Sequence, residues 1–126
     1  MDVGRRKTIL FLEDEEEFLR ALSNVLRERG YKVIEVISAE QAFKKMSEVT
    51  PDLIVADIKL PGINGFDFFE AVRKNDKYRS IPFIYLTAFN NLQAAMKAKA
   101  DGAADYITKP FELEYLIVRI GELLPP

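Results

Sequence analysis

Residues 53–65 read Leu-Ile-Val-Ala-Asp-Ile-Lys-Leu-Pro-Gly-Ile-Asn-Gly. The first four residues form an uninterrupted apolar run, which is typical of a short strand that is covered on both faces of a sheet. Asp57 follows the run, and Pro61-Gly62 then indicates a turn. The stretch therefore predicts a buried strand that carries an aspartate at its carboxyl end.

Four other strand candidates lie at residues 8–12, 32–37, 83–86 and 104–107, and most of them are nearly continuous apolar runs. Apolar residues recur at helical spacing after each run. Asp14 is the predicted N-cap of the first helix, Ser38 and Gln41 are spaced as a capping box for the second, and Pro125-Pro126 would stop the fifth. Five alternations with short loops predict an α/β fold, a doubly wound (βα)5 three-layer sandwich with a five-stranded parallel sheet.

Ligands of such sheets bind beyond the carboxyl ends of the strands. The residues that follow the predicted strands there are Glu13 and Asp14, Asp57, Thr87 and Lys109. Three carboxylates against one ammonium group leave a local negative charge that protons or a cation must relieve. Mg²⁺ prefers oxygen ligands and water, so the residue types at this edge indicate a Mg²⁺ site.

Composition excludes several kinds of chemistry. The 126 residues include 18 basic and 20 acidic residues, so charge provides no argument for direct nucleic-acid binding. There is no histidine and no cysteine, which excludes a Ser-His-Asp triad, a Cys-His dyad and a typical structural zinc site. No apolar run approaches the roughly 20 residues that span a bilayer, and the N-terminus does not read as a signal peptide. We expect a cytoplasmic protein without a membrane partner.

The motifs at the strand ends are similar, in spacing and order, to those of the receiver domain of two-component response regulators. They are Glu13-Asp14, Asp57 with Pro61-Gly62 and Gly65, Thr87-Ala88, and residues 106–111, Tyr-Ile-Thr-Lys-Pro-Phe. The resemblance covers roughly residues 6–124 and implies one receiver domain over residues 1–126. The implied fold is flavodoxin-like, with strand order 2-1-3-4-5.

The resemblance also implies a role for each matching residue. Asp57 resembles the acceptor of a phosphoryl group, and Thr87 and Lys109 would contact the phosphoryl oxygens. Glu13, Asp14, Asp57 and the backbone carbonyl of Lys59 would hold Mg²⁺. Thr87 and Tyr106 would form the switch, with Tyr106 rotating inward, and the bond before Pro110 resembles the family's cis peptide.

The implied partner is a sensor histidine kinase or a histidine phosphotransfer protein. The chain would promote its own Mg²⁺-dependent phosphorylation and dephosphorylation rather than act as an enzyme on other substrates. The surface of the fourth helix, fifth strand and fifth helix would change, and Asp105 and Arg119 resemble a charge pair that joins two receivers into a homodimer. We expect either a stand-alone receiver or a piece of a longer regulator.

Three other functions share parts of this pattern. A flavodoxin-like FMN binder would need a phosphate cradle after the first strand, where five consecutive acids stand here. A haloacid-dehalogenase-type phosphohydrolase would need an acid two residues after Asp57, where the chain has Lys59. A pseudo-receiver used only for docking would not need the complete set of acceptor, metal, hydroxyl and lysine residues.

Overall fold

The computed structural model describes residues 6–124, in which five strands alternate with five helices. The strands are β1 Thr8–Leu12, β2 Lys32–Val36, β3 Leu53–Ala56, β4 Phe83–Thr87 and β5 Asp105–Thr108. The helices are α1 Glu16–Glu28, α2 Ala39–Glu48, α3 Gly65–Lys74, α4 Leu92–Ala100 and α5 Leu113–Leu123. The predicted domain limits, 1 and 126, and the predicted helix stop at Pro125-Pro126 lie outside the described residues.

The strands form a single parallel sheet in the order β2-β1-β3-β4-β5. This confirms the predicted doubly wound architecture and its strand order. The ladder between β4 and β5 extends as far as the pair Thr87 and Thr108, so both strands end one residue later than predicted. Thr87 is therefore the last residue of its strand rather than the first residue of a loop.

Alternate residues of each strand pack on opposite faces of the sheet. Ile9 and Phe11 of β1 belong to the core formed with α1 and α5. Leu10 and Leu12 belong to the core formed with α2, α3 and α4. All four are fully buried, as expected for strands covered on both faces. Within residues 6–124, none of the helices combines the length and apolarity that crossing a membrane requires.

The N-cap residue was predicted correctly for α2 but not for α1. Ser38 caps α2 as predicted, because its hydroxyl accepts a hydrogen bond from the Gln41 N–H. The prediction that Asp14 caps α1 is wrong, since the carboxylate of Glu15 accepts the N–H of Phe18 instead. Either carboxylate can accept a hydrogen bond from a free N–H at a helix start, so the run of acids did not determine which of them is the N-cap. Because Glu15 is the cap, Asp14 is left outside the helix.

A glycine allows α3 to start directly against the end of β3. The Gly65 N–H donates to the Ile58 carbonyl at 2.8 Å. A Cβ atom at Gly65 would lie 2.8 Å from the Ile58 Cα and even nearer to the backbone oxygen of Asp57. Both neighbours are backbone atoms, which no side-chain rotation can move away. The loop that begins at Asp57 can therefore keep its position only if residue 65 has no side chain.

We expect Gly65→Ala to lower the free energy of unfolding by about 2 kcal/mol or more, because over-packing against backbone forces the loop to shift. Gly121→Ala is the matched control, since nothing lies within 4 Å of a Cβ there and alanine is the better helix residue. Urea denaturation of both variants makes the comparison. Equal stability of the two variants would contradict the steric role of Gly65.

Candidate functional site

The carboxyl ends of four strands bring the predicted site residues together. Glu13 and Asp14 follow β1, Asp57 follows β3, Thr87 ends β4 and Lys109 follows β5. Backbone hydrogen bonds hold the junctions: the Asp57 N–H donates to the Leu12 carbonyl, and the Lys109 N–H donates to the Thr87 carbonyl. The sheet itself, rather than a flexible loop, therefore places these side chains.

Glu13, Asp14 and Asp57 form an acidic cluster in which one carboxylate oxygen of each lies within 4.8 Å of the others. Glu13 and Asp57 are buried, whereas Asp14 is exposed. Both Glu13 oxygens are occupied, one by Lys109 and the other by the Glu15 N–H. Burial raises the pKa of Glu13, and the hydrogen bonds from Lys109 and Glu15 reduce this shift without cancelling it.

Lys109 is the positive group of the cluster. Its Nζ lies 2.7 Å from Glu13 Oε1 and 3.3 Å from Asp57 Oδ2. Burial alone lowers the pKa of Lys109, but hydrogen bonds and charge from Glu13 and Asp57 outweigh it and raise the pKa above its ordinary value. Lys109 therefore stays an ammonium ion at neutral pH.

Asp57 has one restrained and one accessible side. Its Oδ1 accepts the N–H of Ile58 at 2.6 Å, which fixes the carboxylate plane. Asp57 also lines a cavity of about 190 Å³, together with Lys59, Thr87, Ala88, Phe89 and Asn90. This cavity gives a small tetrahedral anion room beside the carboxylate and the Thr87 side chain.

The predicted switch residues meet at the backbone of Phe89. The Phe89 N–H donates to Thr87 Oγ1 at 3.1 Å, and the Tyr106 hydroxyl donates to the Phe89 carbonyl at 2.6 Å. Tyr106 is 8% exposed, so its ring is buried, and the inward rotation that the resemblance implies remains a prediction. Burial, followed by the charge of Asp57, raises the pKa of Tyr106.

Asp105 and Arg119, the predicted dimer pair, contact each other within one chain. Asp105 Oδ2 accepts from Arg119 Nε at 3.1 Å and from the Tyr115 hydroxyl at 2.6 Å. Lys99 Nζ lies 3.5 Å from the other oxygen. Burial acts to raise the pKa of Asp105, but Tyr115, the Tyr106 N–H and the two cations hold it below its ordinary value. The homodimer remains a prediction.

The donor atoms of the acidic cluster fit a hard divalent cation. All are carboxylate oxygens, and Lys109 neutralises only one of the three negative charges. Asp14 accepts no hydrogen bond from any residue in the described range, so its carboxylate is free to bind an ion. Mg²⁺ selects such oxygen ligands while it keeps several waters. Lys59 is exposed beside Asp57, and the role of its carbonyl remains a prediction.

The structure adds contacts that the sequence reasoning missed. Lys109 Nζ lies 4.4 Å from the centroid of the Phe18 ring, so an aromatic face supports the ammonium group from the side of α1. Phe18 is one of the apolar residues that recur at helical spacing after the first predicted strand, and its position in the first turn of α1, next to the strand ends, was the signal that could have indicated this contact. The Lys109–Pro110 peptide bond, by contrast, was expected to be cis from the resemblance, and it is cis.

Comparison with known proteins identifies the family. The family model for the response regulator receiver domain matches residues 9–121. The two-component response regulator PhoP of Pseudomonas aeruginosa is 40% identical over 116 residues, which are 92% of this chain and 51% of PhoP. The phosphate regulon regulator PhoB of Escherichia coli is 34% identical over 94% of this chain and 52% of PhoB. The chain thus spans about half the length of these curated relatives.

Solved structures agree with this assignment. The non-phosphorylated HemR receiver domain of Leptospira biflexa has a TM-score of 0.86 and 31% identity, with 96% of each chain covered. The chemotaxis response regulator CheY4 of Vibrio cholerae has a TM-score of 0.86 and 28% identity, with 95% of this chain and 100% of CheY4 covered. These matches favour a receiver domain over the FMN-binding and dehalogenase-type alternatives. The chain belongs to the response regulator receiver domain family of two-component signal transduction.

Proposed function

We propose that this chain is a phosphoacceptor switch that takes a phosphoryl group on Asp57 in the presence of Mg²⁺. The observation that carries the proposal is the cluster of three carboxylates that follow β1 and β3, two of which contact Lys109, beside a cavity at Asp57. Glu13, Asp14, Asp57 and the Lys59 carbonyl are the proposed Mg²⁺ ligands. Residues 1–126 are proposed to form a single receiver domain.

The chemistry follows from charge. An anionic phosphoryl donor cannot approach an anionic carboxylate unless positive charge is present between them. Bound Mg²⁺ would supply two such charges and neutralise phosphoryl oxygens. Lys109 would supply the third, and its position 3.3 Å from Asp57 Oδ2 supports a contact with the oxygens of an attached phosphoryl group.

Asp57 is the nucleophile in the proposed transfer. One carboxylate oxygen forms a bond to phosphorus while the bond from phosphorus to the donor nitrogen breaks, and the donor imidazole keeps the electron pair. The Ile58 N–H, which donates to Asp57 Oδ1, keeps the carboxylate from rotating and leaves Oδ2 on the side of Lys109. The chain needs no histidine for this step, because it receives the phosphoryl group and does not donate it.

A phosphohistidine partner completes the proposal. The chain itself has no histidine, so the donor is a sensor histidine kinase or a histidine phosphotransfer protein in the same compartment, which we take to be the cytoplasm. The chain acts on its own Asp57, both in gaining and in losing the phosphoryl group, and is not an enzyme for a separate substrate. It makes no direct contact with nucleic acid or membrane in this role.

The signal would leave the site through Phe89. Thr87 holds the Phe89 N–H, so a phosphoryl group that draws the Thr87 hydroxyl away releases one of the two bonds on that residue. Tyr106 holds the Phe89 carbonyl and would follow its movement. The surface of α4, β5 and α5 then changes, and this surface includes the Asp105–Arg119 pair proposed to join two receivers.

Incubation with acetyl phosphate and Mg²⁺ tests the acceptor directly. We expect intact mass spectrometry to show one added phosphoryl group on the wild type and none on Asp57→Asn, which lacks the nucleophilic carboxylate. Asp76→Asn changes an aspartate that is exposed and remote from the cluster, and it should be labelled like the wild type. Equal labelling of Asp57→Asn would remove Asp57 from the acceptor role, and an unlabelled wild type would support a pseudo-receiver.

The switch is tested by replacing Thr87 with alanine. Acetyl phosphate should still label this variant, but the amide NMR shifts that labelling causes in α4, β5 and α5 should fall to less than half of their wild-type size. Thr8→Ala, at the opposite end of the sheet, is the control and should respond fully. Wild-type shift changes in Thr87→Ala would show that the Thr87 hydroxyl does not transmit the signal.

A further inference from the structure

A second cavity, separate from the acidic cluster, lies between α3 and α4. Its volume is about 290 Å³. The rings of Phe66, Phe69 and Tyr85 and the small side chains of Ala94 and Ala98 form its apolar lining. Ligand cavities in proteins typically start at about this size and have this kind of lining. The proposed phosphorylation reaction uses none of these five residues.

One polar group inside this lining has no partner. Tyr85 is 1% exposed, yet its hydroxyl forms no hydrogen bond with another residue between 6 and 124. Burial, followed by the nearby charge of Asp101, raises the pKa of Tyr85, so the hydroxyl keeps its proton at neutral pH. Among the described residues, Ser23 Oγ is the fully buried side-chain polar atom that lacks a partner, so the Tyr85 oxygen is instead accessible from the cavity. The Tyr85 hydroxyl is therefore a free donor at the cavity wall.

The rim of the cavity carries charges that are already paired. Lys97 Nζ lies 2.8 Å from Asp101 Oδ2, and Glu70 Oε1 lies 3.4 Å from Lys74 Nζ. Each of the charged residues that line the cavity thus has an opposite charge beside it. A charged ligand would gain little at this rim and would lose its hydration, whereas a neutral ligand has no such disadvantage.

We propose that the cavity between α3 and α4 binds a neutral, planar aromatic molecule of about two fused rings that accepts a hydrogen bond from the Tyr85 hydroxyl. The size follows from volume, since a dry cavity of about 150 Å³ holds a single benzene ring. The rings of Phe66 and Phe69 favour a planar aromatic occupant. The site goes beyond the phosphoacceptor role, and Tyr85 also contacts Tyr106, with ring centroids 5.6 Å apart.

Quinoline and naphthalene are suitable probes, because they have the same shape and only quinoline carries an acceptor nitrogen. In NMR titrations of the full chain, both should shift the resonances of Phe66, Phe69, Ala94 and Ala98. Quinoline should bind about fivefold more tightly, as expected for one additional neutral hydrogen bond. Shifts spread over the whole surface, or no saturation with either probe, would overturn the proposal.

Two variants separate the hydrogen bond from the cavity. Tyr85→Phe removes a hydroxyl that has no partner in the described chain, so the fold should be retained, and the advantage of quinoline over naphthalene should disappear. Ala94→Leu fills the cavity from a half-buried helix position and should weaken both probes at least tenfold. A quinoline advantage that persists in Tyr85→Phe, or unchanged binding in Ala94→Leu, would overturn the proposal. Acetyl phosphate labelling should survive in both variants, which distinguishes this site from the Asp57 site.

Discussion

Mutual repulsion of carboxylates at one edge of the sheet is the constraint on which the site depends. Parallel strands β1 and β3 are neighbours, so Glu13, Asp14 and Asp57 must lie side by side beyond their carboxyl ends. Lys109, brought from β5, neutralises one charge and contacts only two of the three acids. The remaining two negative charges match the divalent cation that we propose for this cluster.

The backbone of Phe89 joins Thr87, at the edge of the acidic cluster, to Tyr106. Thr87 and Tyr106 do not contact each other through their polar groups; each instead holds one side of the Phe89 peptide unit. Both side chains therefore hold the same loop between β4 and α4. The fully buried Tyr85, which packs against Tyr106, extends this arrangement toward the cavity between α3 and α4. The aromatic core on this face thus runs from Tyr106 to the lining of this cavity.

The alternation of apolar runs with helical stripes was enough to predict the sheet, because buried parallel strands need apolar residues on both faces. The positions of Asp57, Thr87 and Lys109 at the ends of their strands predicted that these side chains lie at one edge of the sheet. The N-cap of α1 was not predictable from five consecutive acids, and Glu15 rather than Asp14 takes that place. Contacts between distant side chains, such as Lys109 with the Phe18 ring or Tyr115 with Asp105, depend on packing that no local pattern encodes.

Urea denaturation with and without Mg²⁺ tests the central claim that the three carboxylates need a divalent cation. A concentration of Mg²⁺ about one hundred times its Kd should raise the free energy of unfolding of the wild type by about 2.7 kcal/mol. Asp14→Asn should lose most of this gain, whereas Glu17→Gln, an exposed acid of the first turn of α1, should keep it. Equal responses of these two variants, or no response of the wild type, would contradict the account.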